Sequence, residues 1–316
     1  MHLNALSRKS TVVALVVLVV MVVAAVFRRA TAPFAIEIAD GEVVVVWRVV
    51  VAAILFVVCG AVGGKTLSQT GLTSGYSSLP IPIYALLACG IFMASDMLLA
   101  AILSSLFTAA IYLLLRSINS AGEKDSLFFA AALLGAMVPL YPPSIVLAAL
   151  LPLSMLLLAL SVRQVVIMIV GYVLPPLAAA YVTWYGGAEF GAIFRDIFTY
   201  LVTPQMGTIT QIPYVALAMV ATIFAVLIWG AVYITFNPGK LSRVTRARRS
   251  LHLFVWTTLV VLTMLFFPSR DLTIFSLLAV PTSILLSFML GVLPNNPSTI
   301  SYWILLALFV VHLFLA

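Results

Sequence analysis

Residues 11–27 contain no charged side chain, and neither do residues 144–160. Neither stretch alternates polar and apolar residues, so neither suits a strand with one wet face. Each has the continuity of a helix surrounded by hydrocarbon, which needs about 20 residues to cross a bilayer. A transmembrane β-barrel would instead show segments of about ten residues with alternating polarity. The same pattern recurs along the chain: 64% of the 316 residues are hydrophobic and 8% are charged, against about 25% charged in a soluble domain. Nine acids and sixteen bases are too few to cover a water-soluble globule of this size. Lipid is therefore the expected solvent. The expected fold is all-α, a polytopic transmembrane helix bundle forming a single integral membrane domain over residues 1–316.

Eleven hydrophobic segments are expected, near residues 10–27, 43–63, 81–95, 97–116, 127–140, 144–161, 164–184, 214–235, 252–267, 272–292 and 300–316. The short ones at 81–95 and 127–140 read as tilted partners in hairpins or as half-spans, so the range is ten to twelve crossings. The first segment ends in Phe27-Arg28-Arg29 without a small-residue cleavage site and reads as a retained span.

Basic residues set the orientation. The loop at 237–250 carries Lys240, Arg243, Arg246, Arg248 and Arg249 with no acid, and the positive-inside rule places it in the cytoplasm. Counting crossings back from it puts Arg163, Arg116, Lys124, Lys65, Arg8 and Lys9 on the same side, eleven of the sixteen bases in all. Arg28, Arg29, Arg48, Arg195 and Arg270 fall on or near the other side. This places the N-terminus in the cytoplasm and the C-terminus outside. The five bases at 240–249 are expected to sit against anionic lipid headgroups, worth about 1 kcal/mol per base. Nucleic acid is not an expected partner, because the net charge of +7 is scattered among short loops.

Two outer segments stand out. One, residues 28–42, holds Glu37, Asp40 and Glu42. The other contains an expected amphipathic helix at about 188–202, where Phe190, Ile193, Phe194, Ile197, Phe198 and Leu201 recur at helical spacing, away from Glu189, Arg195 and Asp196. Gly186-Gly187 precede it and Pro204 ends it. It reads as lying in the outer interface, either as a connector or as a lid over a lipid-facing site. Elsewhere, the run Pro139-Leu140-Tyr141-Pro142-Pro143 should break the bundle at a turn, and Pro175-Pro176 should kink a span.

Few residues offer chemistry. His2, His252 and His312 are far apart, without i+3 or i+4 ligand partners, so no metal site and no cofactor is expected. Cys59 and Cys89 lie in apolar stretches and read as small packing residues. Gly63-Gly64-Lys65-Thr66 resembles the end of a phosphate loop but lacks the upstream glycine and strand. The catalytic arrangement to weigh is Glu37, Asp40 and Glu42, which could act as general base in transfer from a lipid-phosphate donor or bind a divalent cation. Arg28, Arg29 and Arg48 could hold phosphate oxygens. The competing reading is a solvated loop of compensating charges. Asp96 is a candidate proton or substrate group if it lies deep in the bilayer, or a helix cap if it lies at the turn between two short segments.

The order Leu79-Pro80, residues 102–116, Ala131 to Tyr141-Pro142-Pro143, Val162-Arg163-Gln164 and Gly171-Tyr172-Val173-Leu174-Pro175 resembles an uncharacterised inner-membrane family of Bacteroidota. Ala279-Val280-Pro281 with residues 283–287 extends the likeness toward the C-terminus. Some members of that family carry a β-carotene monooxygenase label, for which the dispersed histidines here offer no iron site. The resemblance implies a multi-pass protein of the bacterial inner membrane. More distantly, residues 101–139 are similar to lipid-linked sugar transferases of the GT-C type. There a span ends in arginine, a charged turn follows and the next span closes at a proline. Their longer first outer loop has no counterpart here. The expected role is an accessory or scaffold component of cell-envelope glycan or lipid assembly, partnered by membrane lipids and other envelope-assembly proteins. The alternatives are a GT-C-like transferase using a polyprenol-phosphate sugar, and a lipid or small-solute transporter or flippase.

Overall fold

A computed structural model describes residues 42–70, 72, 77–91, 97–119, 124–158, 160–202, 214–236, 245–263 and 273–315. The expected span at 10–27 lies outside them. Every regular element among the described residues is helical. Helix α1 is Glu42–Gln69, α2 is Pro80–Ala85 and continues as a π-helical turn at Leu86–Ile91, α3 is Met97–Asn119 and α4 is Lys124–Leu140. A 3₁₀ segment, Pro142–Ala149, runs into α5, Leu150–Leu158. Then follow α6 Val162–Tyr185, α7 Ala192–Val202, α8 Tyr214–Phe236, α9 Thr245–Thr263, α10 Thr273–Val292 and α11 Asn295–Leu315. Three of these helices carry stretches long and apolar enough to cross a membrane: Val51–Gln69, Leu98–Ser117 and Val162–Tyr185. Shorter apolar helices span Asp125–Leu140, Pro142–Leu157, Ser250–Thr263 and Ser276–Val292.

Proline and glycine chemistry explains most of the boundaries. Tyr141 is held extended (φ −147°, ψ 92°) between α4 and Pro142, because the residue before proline is sterically pushed out of the α region. Pro152 has no N–H to give the Ala148 carbonyl, and the chain changes from 3₁₀ to α at Leu150, which leaves Pro152 in the first turn of α5. The segment expected as one span at 144–161 is therefore two helical pieces. Helix α6 is preceded by its N-cap Ser161, whose backbone N–H donates to Gln164 Oε1 at 2.8 Å, half of a capping box. It ends in a Gly186-Gly187 turn, with Gly187 at φ +94°, a conformation that costs glycine little.

Several boundaries differ from the expectation. Helix α1 continues through Gly63-Gly64 to Gln69, six residues past the expected end at 63. Two interior glycines weaken a helix by about 1 kcal/mol each, but Gly63 packs against Pro80 and Ile284, and those contacts hold the helix. Helix α9 begins at Thr245, so part of the expected loop at 237–250 is helical. No glycine or proline lies between Thr245 and Ser250 to stop it.

Helix α10 is the axis of the bundle. Its described side chains from Thr273 to Leu290 are all buried, and it touches α1, α2, α3, α8, α9, α11 and the π turn. A helix buried all round needs no polar stripe. Helix α6 is the opposite case, packing along α4 while Val166, Ile169, Val173, Leu174, Leu177 and Val182 stay exposed. Helices α1 and α3 run parallel. The Cys59 thiol meets Thr108, Lys65 lies over the Tyr112 ring, and Gln69 bonds the Tyr112 hydroxyl, so contacts advance together along both chains.

Candidate functional site

Arg28, Arg29, Glu37, Asp40 and Asp96, together with Lys240 and Arg243, lie outside the described residues. Glu42 is the first residue of α1 and Arg48 falls in its second turn. Arg246, Arg248 and Arg249 belong to the first turns of α9 rather than to a loop. Their backbone position puts three cations at the positive end of a helix dipole, an arrangement that costs a few tenths to 1 kcal/mol per charge unless an anion lies nearby.

What the fold does bring together is a buried, uncharged polar cluster. Ser104 and Thr108 are one turn apart on α3 and both buried. The Ser104 hydroxyl donates to the backbone carbonyl of Ser276 on α10 at 3.2 Å, and the Thr108 hydroxyl donates to the Ser104 carbonyl at 2.7 Å. The Cys59 side chain of α1, 3% exposed, lies near Thr108 and near Tyr84 of α2. Tyr84 is buried with its ring 6.0 Å from that of Phe56. Four helices thus meet through hydroxyls, one thiol and a backbone carbonyl. Such a set ties helices together and could hold an uncharged polar group. It contains no acid, base or cation to move a proton at neutral pH.

Other buried hydroxyls bond to carbonyls of their own helices. Thr66 donates to Val62 at 2.7 Å, Thr257 to Leu253 at 2.7 Å, Thr282 to Leu278 at 2.6 Å and Ser287 to Ser283 at 2.6 Å. This satisfies a polar group in an apolar interior without committing it to a ligand. The described Asp, Glu, Lys, Arg and His side chains are all exposed: Lys65, Arg116, Asp125, Arg163, Glu189, Arg195, Asp196 and His252.

A second polar contact joins the C-terminal ends of α1 and α3. Lys65 Nζ lies 5.7 Å from the centre of the Tyr112 ring, and Gln69 Nε2 donates to the Tyr112 hydroxyl at 3.2 Å. This also disposes of the phosphate-loop likeness, since Gly63-Gly64-Lys65-Thr66 is helical, within the last two turns of α1. Sequence reasoning missed both contacts. The usable signal was polar residues four apart on apolar helices, Ser104 with Thr108 and Lys65 with Gln69. Among the described residues no group of three or more His, Cys, Asp or Glu side chains could hold a metal ion. Cys59 is a buried free thiol, in keeping with a packing residue.

Fold and site together define an all-helical protein with helices long and apolar enough to cross a membrane, joined internally by uncharged polar contacts. The chain belongs to a family of unknown function, DUF6427, whose family model matches residues 1–316. The search of curated proteins returned no match, and nor did the search of solved structures.

Proposed function

We propose that the chain is a multi-pass protein of the bacterial inner membrane that serves as an accessory or scaffold component of cell-envelope glycan or lipid assembly. The observation that carries this reading is the division, among the described residues, between exposed charged side chains and a buried interior of apolar groups, with hydroxyls such as those of Thr282 and Ser287 turned onto helix carbonyls. An interior of that kind transmits packing and position, and it has little means of stabilising charge in a transition state. In this reading eleven helices cross the bilayer, the N-terminus is cytoplasmic and the C-terminus periplasmic. The parallel course of α1 and α3, which brings Lys65 and Tyr112 together one turn from Arg116, supports placing Lys65 and Arg116 on one side. Lys240, Arg243, Arg246, Arg248 and Arg249 then face the anionic headgroups of the cytoplasmic leaflet, and lipid phosphate offsets the unfavourable charge at the start of α9.

Complementation tests this. The gene is deleted, envelope glycans and lipid-linked precursors are profiled, and the strain is restored with wild type or with Asp40→Asn. A glycan or lipid defect corrected equally by both supports the accessory role. Correction by wild type alone would give Asp40 a catalytic part and move the assignment to the GT-C-like transferase. No envelope defect in the deletion strain would remove envelope assembly from the proposal.

A further inference from the structure

Helix α7 divides into three flanks at helical spacing. Ile193 and Ile197 form one, and Ile197 is buried where α7 packs on the 3₁₀ segment, α4 and α6. Phe194 and Phe198 form the second, 40% and 67% exposed, with Phe190 45% exposed just before the helix and its ring 6.5 Å from that of Phe194. Arg195, Asp196 and Thr199 form the third and are exposed. Before the helix, Glu189 Oε2 accepts from Arg195 Nη2 at 2.7 Å.

The second flank continues an apolar surface that begins on α6. At the C-terminal end of that helix Tyr181, Trp184 and Tyr185 are exposed. The chain then turns at Gly186-Gly187 and enters α7 within six residues. Exposed tyrosine and tryptophan at the end of an apolar span mark the level of the headgroups. A helix starting there, with one flank on protein, one aromatic and one polar, meets the three media present at that depth.

We propose that α7 is a membrane-interface anchor. Its Phe190–Phe194–Phe198 flank is seated among the glycerol groups and upper acyl chains of the leaflet at the C-terminal end of α6, and its Arg195–Thr199 flank faces water. The occupant of the aromatic face is phospholipid. Because Glu189 neutralises Arg195, and Asp196 adds a further negative charge, seating depends on apolar burial and not on anionic headgroups. This sets it apart from the basic segment at 240–249. The inference rests on reading α6 as a transmembrane span.

The test uses the full chain with Cys59→Ala and Cys89→Ala, checked for a monodisperse size-exclusion profile and reconstituted in phosphatidylethanolamine–phosphatidylglycerol nanodiscs. Nitroxide labels are placed singly at Phe194→Cys, Phe198→Cys, Arg195→Cys and Thr199→Cys, with Ile169→Cys in mid-α6 as the control for the span. Accessibility to oxygen and to nickel ethylenediaminediacetate is read by electron paramagnetic resonance. Oxygen should dominate at 194, 198 and 169, and nickel at 195 and 199, with no change when phosphatidylglycerol is replaced by phosphatidylcholine. Nickel access at 194 and 198 matching that at 199, with 169 still oxygen-dominated, overturns the anchor and leaves the span intact. Exclusion of both reagents at 194 and 198 means that protein covers the face, and also overturns it. Nickel access at 169 overturns the span itself.

Discussion

A Cβ atom added at Gly135 of α4 would collide with the backbone carbonyl oxygen of Tyr172 on α6. The reciprocal position is almost as tight, since a Cβ at Gly171 would come within 2.6 Å of the Phe128 carbonyl oxygen. The two helices are in backbone contact because each offers a glycine to the other. Small residues permit such approach, and where the solvent is lipid it supplies packing that hydrophobicity cannot.

Gly135→Val should therefore lower stability by about 1–3 kcal/mol, the usual range for overpacking, and could separate α4 from α6 altogether. Gly291→Ala in α10, where a new Cβ meets nothing within 4 Å, should be neutral or add up to about 1 kcal/mol from helix propensity. Thermal unfolding in detergent micelles, followed by intrinsic fluorescence, distinguishes the two. Equal melting temperatures for both variants would contradict the glycine contact.

The Lys65–Tyr112 contact lends itself to a double-mutant cycle. With Lys65 exposed, the coupling between Lys65→Met and Tyr112→Leu should be about 0.5–1 kcal/mol and should shrink as salt is raised. Tyr112→Phe keeps the ring and loses only the bond from Gln69, so it should retain most of that coupling. A coupling of zero at low salt would show the contact to be without energetic weight.

The hydrogen bond from Ser104 to the Ser276 carbonyl crosses from α3 to α10, whereas that of Thr282 stays within α10. Ser104→Ala should cost about 0.6 kcal/mol, and no more than about 1.7, as interhelical hydrogen bonds do in membranes. Thr282→Val, close in volume and losing only a bond to its own helix, should cost less. Steric-trapping or denaturant measurements of both variants would reveal the order, and a reversed order would contradict the bridging role of Ser104.

Cys59 is 3% exposed between α1, α2 and α3. In a Cys89→Ala background it should resist N-ethylmaleimide in the folded protein and react fully once the bundle is unfolded in dodecyl sulfate. Mass spectrometry reads the adduct. Rapid reaction of the folded protein would place the thiol on an open path.

The parallel course of α1 and α3 predicts sidedness. In intact cells, Lys65→Cys and Arg116→Cys should both be protected from a membrane-impermeant maleimide and become reactive on permeabilisation, while Glu189→Cys should react from outside. Labelling of only one of the first two in intact cells would contradict the arrangement.

Helix identity was legible in the residues alone, because it depends on continuous apolar runs punctuated by proline and charge. The segments at 97–116, 164–184, 214–235 and 272–292 fall within two or three residues of α3, α6, α8 and α10. The amphipathic helix near 188–202 was also legible, though it begins later, at Ala192. A helix beside water has a polar flank that pattern reading detects. What the residues could not reveal is which apolar faces meet. Helices α6 and α10 are alike in being predominantly apolar, yet one is the exposed flank of the bundle and the other its buried axis. If hydrocarbon surrounds the fold, lipid-facing and protein-facing positions are equally apolar, and periodicity carries no signal to tell them apart. The same reason hid the cluster of Cys59, Tyr84, Ser104 and Thr108, whose members come from three helices and a span of fifty residues. Composition and local chemistry determined that this chain is helical and apolar. Only the packing of helix on helix decided that Gly135 touches Tyr172, that α10 lies at the centre, and that the Ser104 hydroxyl meets the Ser276 carbonyl.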